Sequence, residues 1–295
     1  ARVAITWDVE SFPYHTTVEL IDDNSLLLSV CARDQQTIVV LRASASDGTT
    51  TELWRDSNNT WVDLVSGSPA LTKSAQLVVV ADRDDVKRIL VDGAAVTPTS
   101  LNVRSLVSVS DDAIVFMANE ITHPEAASAW KWTPSSLEAL TELDGNHSIA
   151  IGGPTTVIRR ATINLVRATT TVSTTLHGAP TTHIIESFSE EALVQPNVQF
   201  IRAGKRQIPC ALILPRDIKP GTKLPVLMDP YGGPHAQRVV DSYTAHCTSQ
   251  WFADQGFAVL VVDGRGTPGL GTAWERSVYL DLATAVLEDQ VDSVL

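Results

Sequence analysis

The feature that most constrains this chain is a repeat. Four similar short segments, Thr51-Glu52-Leu53, Ala95-Val96-Thr97, Ala139-Leu140-Thr141 and Thr175-Leu176, have their Leu or Val positions 43, 44 and then 36 residues apart. A period near 40 residues in strand-rich sequence is the mark of propeller blades, each of about four strands. The surrounding sequence from Val3 to about Leu176 fits that unit. It is dense in Val, Thr, Leu and Ile and broken by turn pairs such as Asp22-Asp23, Asp47-Gly48, Asp92-Gly93 and Asp111-Asp112, which is the pattern of short antiparallel strands. In the second repeat the expected strands are Leu77 to Ala81, Arg88 to Val91 and Ala95 to Thr97. About four blades result, enough for a small ring or for part of a larger one. A β-sandwich is the alternative; it accounts for strands every 8 to 12 residues but not for the superperiod.

After a loop around Ser187 to Pro196 the pattern changes. Val198 to Ala203 and Ile208 to Leu214, joined through Gly204-Lys205, form a predicted hairpin. Leu224 to Met228 is a predicted strand, followed by a glycine-rich turn and a helix from Ser242 to Gln255 that stops at Gly256. Phe257 to Val262 is a continuous apolar run, expected for a parallel strand covered on both faces, and it ends at Asp263-Gly264-Arg265-Gly266. The closing segment sets Leu282, Val286, Leu287, Val291 and Leu295 at helical spacing, with Glu288, Asp289 and Asp292 largely on the other side. This alternation is α/β. The expected organisation is a partial β-propeller over 1–190 and the N-terminal part of an α/β domain over 191–295. About 100 residues of such sequence ending in a helix read as an incomplete sheet domain.

Composition removes several functions. The 295 residues carry 34 acidic against 22 basic side chains, a net charge of -12, which disfavours nucleic acid and anionic lipid as partners. No apolar run approaches the roughly 20 residues of a membrane helix. The N-terminus, Ala1-Arg2-Val3-Ala4, has neither an initiator Met nor a signal-peptide core and reads as a cut end. Cys31, Cys210 and Cys247 are scattered and odd in number, which fits buried free thiols in a reducing compartment and leans the localisation, otherwise open, towards the cytoplasm. Asn58-Asn59-Thr60 and Asn146-His147-Ser148 match the glycosylation triplet, a pattern common by chance.

The chemical motifs are few. Gly264-Arg265-Gly266-Thr267-Pro268-Gly269 has the spacing of a dinucleotide fingerprint. Pro268 and Gly271 extend the loop where that fingerprint needs a helix, and no acid-terminated second strand follows, so a glycine-rich loop at a strand end is the better account. The seven histidines, His15, His123, His147, His177, His183, His235 and His246, form no HExxH pattern, and neither a metal nor a cofactor is expected. No GxSxG elbow is present; Gly67-Ser68 is followed by Pro69 in the β-rich half. Pro230-Tyr231-Gly232-Gly233-Pro234-His235 carries more, because a phenol and two glycines sit where an apolar strand opens into a loop. Tyr231 is either a packed tyrosine in a tight turn, the simpler account on residue types alone, or a preorganised donor for a developing oxyanion.

The run Leu224-Pro225-Val226-Leu227-Met228-Asp229-Pro230-Tyr231-Gly232-Gly233-Pro234-His235-Ala236-Gln237, with Ser249-Gln250-Trp251-Phe252, resembles the start of the peptidase domain of the prolyl oligopeptidase family of serine peptidases. Phe257 to Gly269 and Leu287-Glu288-Asp289-Gln290-Val291 match as well, and Arg33-Asp34-Gln35-Gln36 with Trp61-Val62 resemble the propeller of its dipeptidyl peptidase IV-like branch. The resemblance implies later blades of a seven- or eight-bladed propeller followed by the first part of an α/β-hydrolase domain. It implies a serine exopeptidase that releases X-Pro or X-Ala dipeptides from peptide amino termini through an acyl-enzyme. Tyr231 then matches the family's oxyanion tyrosine. The serine, acid and histidine would all follow Leu295, and the paired glutamates that hold a substrate's amino terminus would precede these residues, so the chain alone is expected to be inactive. A homo-oligomer, or a complementing chain that carries the triad, is left open. Two alternatives stand beside this reading: a non-catalytic propeller scaffold that binds proteins, and an acylaminoacyl- or oligopeptidase-type specificity.

Overall fold

The structure is a computed structural model describing residues 2–22, 24–176, 178–234 and 236–295. Asp23 of the first turn pair and two of the seven histidines, His177 and His235, lie outside the described residues, as does Ala1. Four antiparallel sheets of four strands follow one another along the chain. The first contains β1 (Tyr14–Asp22), β2 (Ser25–Cys31), β3 (Thr37–Ser44) and β4 (Thr50–Ser57), and the second β5 (Ala70–Leu71), β6 (Leu77–Arg83), β7 (Val86–Val91) and β8 (Ala94–Ala95). The third contains β9 (Leu101–Val109), β10 (Ile114–Glu120), β11 (Ser128–Thr133) and β12 (Ser136–Ala139), and the fourth β13 (Asn146–Gly152), β14 (Thr155–Ala161), β15 (Thr169–Leu176) and β16 (Ala179–Ile185).

Within each sheet, neighbours in space are neighbours in sequence. This meander is the form of a propeller blade and differs from the Greek-key order of a sandwich. The fourth strands begin at Thr50, Ala94, Ser136 and Ala179, at intervals of 44, 42 and 43 residues. The short third interval of the sequence repeat has a simple cause. Thr175-Leu176 closes the third strand of its sheet, whereas the other three segments lie on or beside a fourth strand.

Contact density divides the chain into two compact units, residues 1–116 with 131–137, and residues 117–130 with 138–295. Residue 190 lies inside the second. In the first, Leu27, Val40, Leu77, Val79, Ala81 and Leu90 form one buried cluster, and Leu28, Val30, Val39, Leu41 and Ala43 another, onto which Ile5, Trp7 and Phe12 pack. The Arg33–Gln36 turn is tied to the segment after β4. Asn58 N–H donates to the Gln36 carbonyl at 2.9 Å and Val62 N–H to that of Gln35 at 2.8 Å, so this motif is a structural clasp.

The second unit holds a mixed sheet made of β17 (Val198–Ala203), β18 (Ile208–Ile213), β19 (Val226–Tyr231) and β20 (Ala258–Asp263), in the order β17-β18-β20-β19. The expected hairpin is β17–β18. β20 pairs parallel with β19 and antiparallel with β18, so the apolar run is buried as expected but parallel on one side only. β19 starts two residues later than the apolar pattern indicates and runs through Asp229 and Pro230 to Tyr231, because pairing with 258–263 fixes it. The helix predicted from Ser242 is a 3₁₀ turn over Tyr243–His246 and then α1 (Cys247–Ala253); Gly256 follows with φ 103°.

The 117–130 hairpin is joined to the rest of its unit by specific bonds. Buried Asn119 Nδ2 donates to the Gly269 carbonyl at 2.8 Å. The Glu125 carbonyl accepts from Asp241 N–H at 2.8 Å and Asn146 Nδ2 at 3.0 Å, and Arg202 donates to the Thr122 carbonyl at 2.7 Å. Cys31 and Cys210 are buried free thiols, while Cys247 is half-buried, a departure from the expectation. Burial, reinforced by the Asp263 charge, pushes the Cys210 thiol up to about 12.

Two short helices complete the chain, α2 (Thr272–Arg276) and α3 (Thr284–Asp292). α3 is turned opposite to the expected face. Ala285 and Asp289 are buried, whereas Leu287 is 65% and Val291 50% exposed. The hydrogen bonds of Asp289, described below, outweigh the apolar stripe in setting the rotation.

The N-terminus of α3 is capped from outside by Asp281, whose Oδ1 accepts from the N–H groups of Ala283 at 3.0 Å and Thr284 at 2.9 Å. Hydrogen bonds from Thr284 and Ala283 hold this carboxyl at about 2, against an ordinary 3.8. A depressed folded-state value means that the stabilisation is complete above about pH 4 and is lost as pH falls towards 2. The stability gap between the chain and its Asp281→Asn variant is therefore expected to close across that window in acid-unfolding curves. A gap independent of pH would assign the cap to another group.

Candidate functional site

The site is built on the carboxyl ends of the parallel pair β19 and β20, where ligands bind in open α/β sheets. Tyr231 is the last residue of β19 and stands in register with Asp263, the last of β20. Gly232 and Gly233 follow at once. A Cβ at Gly232 would overlap the Val286 side chain, so only glycine lets this turn lie against α3. The phenol folds back over the turn, its oxygen 3.4 Å from where a Cβ on Gly233 would stand. Tyr231 is half-buried, and its hydroxyl makes no hydrogen bond to another described residue.

The turn after β20 is held by buried carboxylate chemistry. Asp289, fully buried, accepts from Arg265 N–H at 2.6 Å, from Arg265 Nε at 3.0 Å and from Nη2 at 2.9 Å. Glu288 takes Arg265 Nη2 at 2.8 Å, and Arg206 stands 3.4 Å from both acids. The hydrogen bonds it donates to Asp289 raise the Arg265 guanidinium above its ordinary value. A Cβ at Gly264 would lie 2.8 Å from the Asp289 Cβ, so the loop and helix touch at van der Waals distance. On the other side of Tyr231, Asp263 receives the N–H groups of Arg238 and Val239.

Of the motifs flagged in sequence, Gly264–Gly269 folds on itself. Thr267 Oγ1 and Trp274 Nε1 both donate to the Gly264 carbonyl, at 2.8 and 3.0 Å, and helix α2 starts only at Thr272. A dinucleotide turn needs its helix to begin within the motif; this is a self-closed loop. Among the described residues no three His, Cys, Asp or Glu side chains converge as a metal set. Sequence reasoning missed Asp263, Asp289 and Asn119. The available signal was polarity in the wrong place: an acid closing an apolar strand, and an asparagine inside Ile114–Glu120.

The site thus sets a phenol at a strand end over a glycine turn, with the loop after β20 and the Arg238–Val239 segment each held by a buried carboxylate. The prolyl oligopeptidase family model matches residues 243–295, which hold α1, β20, the Gly264 loop and α3. Prolyl endopeptidase FAP of Mus musculus is 28% identical over 130 residues, covering 41% of this chain and 17% of that protein. Dipeptidyl peptidase family member 2 of Caenorhabditis elegans is 32% identical over 106 residues, 34% of this chain and 12% of that protein. Residues 243–295 of this chain are thus similar to the prolyl oligopeptidase family. Its relatives are of the dipeptidyl peptidase IV-like kind, and the family is one of serine peptidases.

The fold of this chain is also found in solved structures. The crystal structure of Porphyromonas gingivalis dipeptidyl peptidase 4 superposes with a TM-score of 0.80 at 18% identity, over 99% of this chain and 43% of that one. A putative dipeptidyl aminopeptidase IV from Bacteroides ovatus gives 0.72 at 18% identity, over 95% and 45%. The chain thus spans under half of those chains and under a fifth of the curated relatives quoted. Among its described residues no helix is long and apolar enough to cross a membrane.

Proposed function

We propose that these residues belong to a serine exopeptidase that releases X-Pro or X-Ala dipeptides from peptide amino termini. On this reading 1–190 contribute later blades of a seven- or eight-bladed propeller, and 191–295 begin the α/β-hydrolase domain. Tyr231 is its oxyanion donor. A serine hydroxyl adds to the carbonyl of the second residue, and the phenol O–H donates to the oxygen that takes the negative charge. The amine then leaves with a proton, and water hydrolyses the resulting ester. The observation that carries the proposal is the Tyr231 hydroxyl, unbonded to other described residues, at the carboxyl end of β19 over a glycine turn.

Residues 1–295 contain no GxSxG elbow, so the nucleophile has to come from further sequence or from a complementing chain. The test measures hydrolysis of Gly-Pro and Ala-Pro chromogenic substrates by these 295 residues and by a polypeptide joining them to the nucleophile, with and without a serine-directed phosphonate. The expected result is activity in the longer polypeptide alone, abolished by the phosphonate. Silence of both, on these and on amino-blocked substrates, would put the protein-binding scaffold ahead. Cleavage of blocked substrates only would assign acylaminoacyl- or oligopeptidase specificity.

A further inference from the structure

The turn that leaves β19 at Tyr231 comes back to the sheet at Arg238 and Val239, and both ends of it meet one residue. Asp263 stands in register with Tyr231. Its Oδ1 and Oδ2 lie 3.0 and 3.1 Å from Arg238 N, and its Oδ2 lies 2.8 Å from Val239 N. Asp263 is 2% exposed. A carboxylate so buried survives only if hydrogen-bonded, and bonds from N–H groups to an ionised acceptor are about twice as strong as neutral ones.

Arg238 makes a second tie. Its Nη2 reaches Asp229 at 2.7 Å, two residues before Tyr231 and therefore on the same face of β19. That pair is 40% and 32% exposed, so screening by water leaves it the weaker of the two ties.

We propose that Asp263 is the positioning residue of the Tyr231 turn: by holding the Arg238 and Val239 N–H groups at the end of β20, it fixes where the phenol stands. This rests on the oxyanion reading of Tyr231 for its catalytic meaning, but not for its test. Asp263→Asn keeps the shape, removes the charge and turns an NH₂ donor towards two N–H donors. The 295-residue chain has four tyrosines, Tyr14, Tyr231, Tyr243 and Tyr279. Ring-labelled tyrosine gives one NMR signal for each, and Tyr231→Phe assigns the relevant one.

In Asp263→Asn the Arg238 and Val239 amides should exchange with solvent at least about 10-fold faster. The Tyr231 signal should shift or broaden while the other three stay. Arg238→Ala, which keeps the backbone N–H, should leave the Tyr231 signal in place. If Asp263→Asn does not fold, Arg238→Pro deletes one donor without touching the buried acid and must reproduce the Tyr231 change. Freed amides with an unmoved Tyr231 signal, or unmoved amides, would overturn the proposal. A moved Tyr231 signal together with full activity of Tyr231→Phe in the longer polypeptide would uphold positioning and remove the oxyanion reading instead.

Discussion

Tyr231→Phe, made in the polypeptide that joins these residues to a serine nucleophile, is expected to lower kcat by about 10²- to 10³-fold with KM nearly unchanged. That is the size of effect seen when one oxyanion donor is removed from a preorganised site. The split between kcat and KM follows from when the bond forms: the hydroxyl donates to charge present in the tetrahedral state and largely absent from the bound ester or amide. The ring itself stays. Phe keeps the packing over Gly233, where the phenol oxygen sits 3.4 Å from the place a Cβ would take, so stability should change little. Steady-state kinetics on a dipeptide chromogenic substrate decide it, and a loss confined to KM would make Tyr231 a binding residue.

The second large effect is on folding. Asp289→Ala removes a fully buried carboxylate that meets Arg265 through its backbone N–H and its guanidinium, with Arg206 Nη1 at 3.4 Å. Removing it leaves the Arg265 backbone N–H and one side of its guanidinium without their buried acceptor, at a cost of about 2–3 kcal/mol. The neighbouring acids cannot replace it; Glu288 already takes Arg265 at 2.8 Å, and Asp292 accepts the Lys205 N–H at 3.0 Å. Chemical denaturation of the 295-residue chain should show the loss as a lower midpoint. Glu288→Ala serves as the comparison. Its side chain is 51% exposed, and the change there should stay near 1 kcal/mol or less. Equal losses in the two variants would mean that the buried acid is not the anchor of α3.

These expectations rest on parts of the molecule that were unequally legible from residues alone. The blades were readable because a meander repeats its turns at a fixed interval, and only Thr175-Leu176 slipped, by one strand. The place of Tyr231 was readable too, since an apolar run opening into Gly232-Gly233 has little else to be. The rotation of α3 was not. Periodicity counts apolar residues and gives no weight to one acid with a backbone N–H and a guanidinium to satisfy, yet Asp289 is buried and Leu287 and Val291 are exposed. The allegiance of the 117–130 hairpin was hidden for another reason. It depends on pairs such as Asn119 with Gly269 and Glu125 with Asp241, which no local window contains.

That hairpin also sets a timetable. Asn119 leaves the ribosome 150 residues before the carbonyl that satisfies its side chain, an interval of roughly 8–30 s at about 5–20 residues per second. Until Gly269 emerges, the Asn119 amide in the apolar strand Ile114–Glu120 has the neighbouring Glu120 carbonyl, 2.9 Å away, but lacks this distant acceptor. The bond from Asn119 to Gly269 therefore closes only after most of the second compact unit has been made.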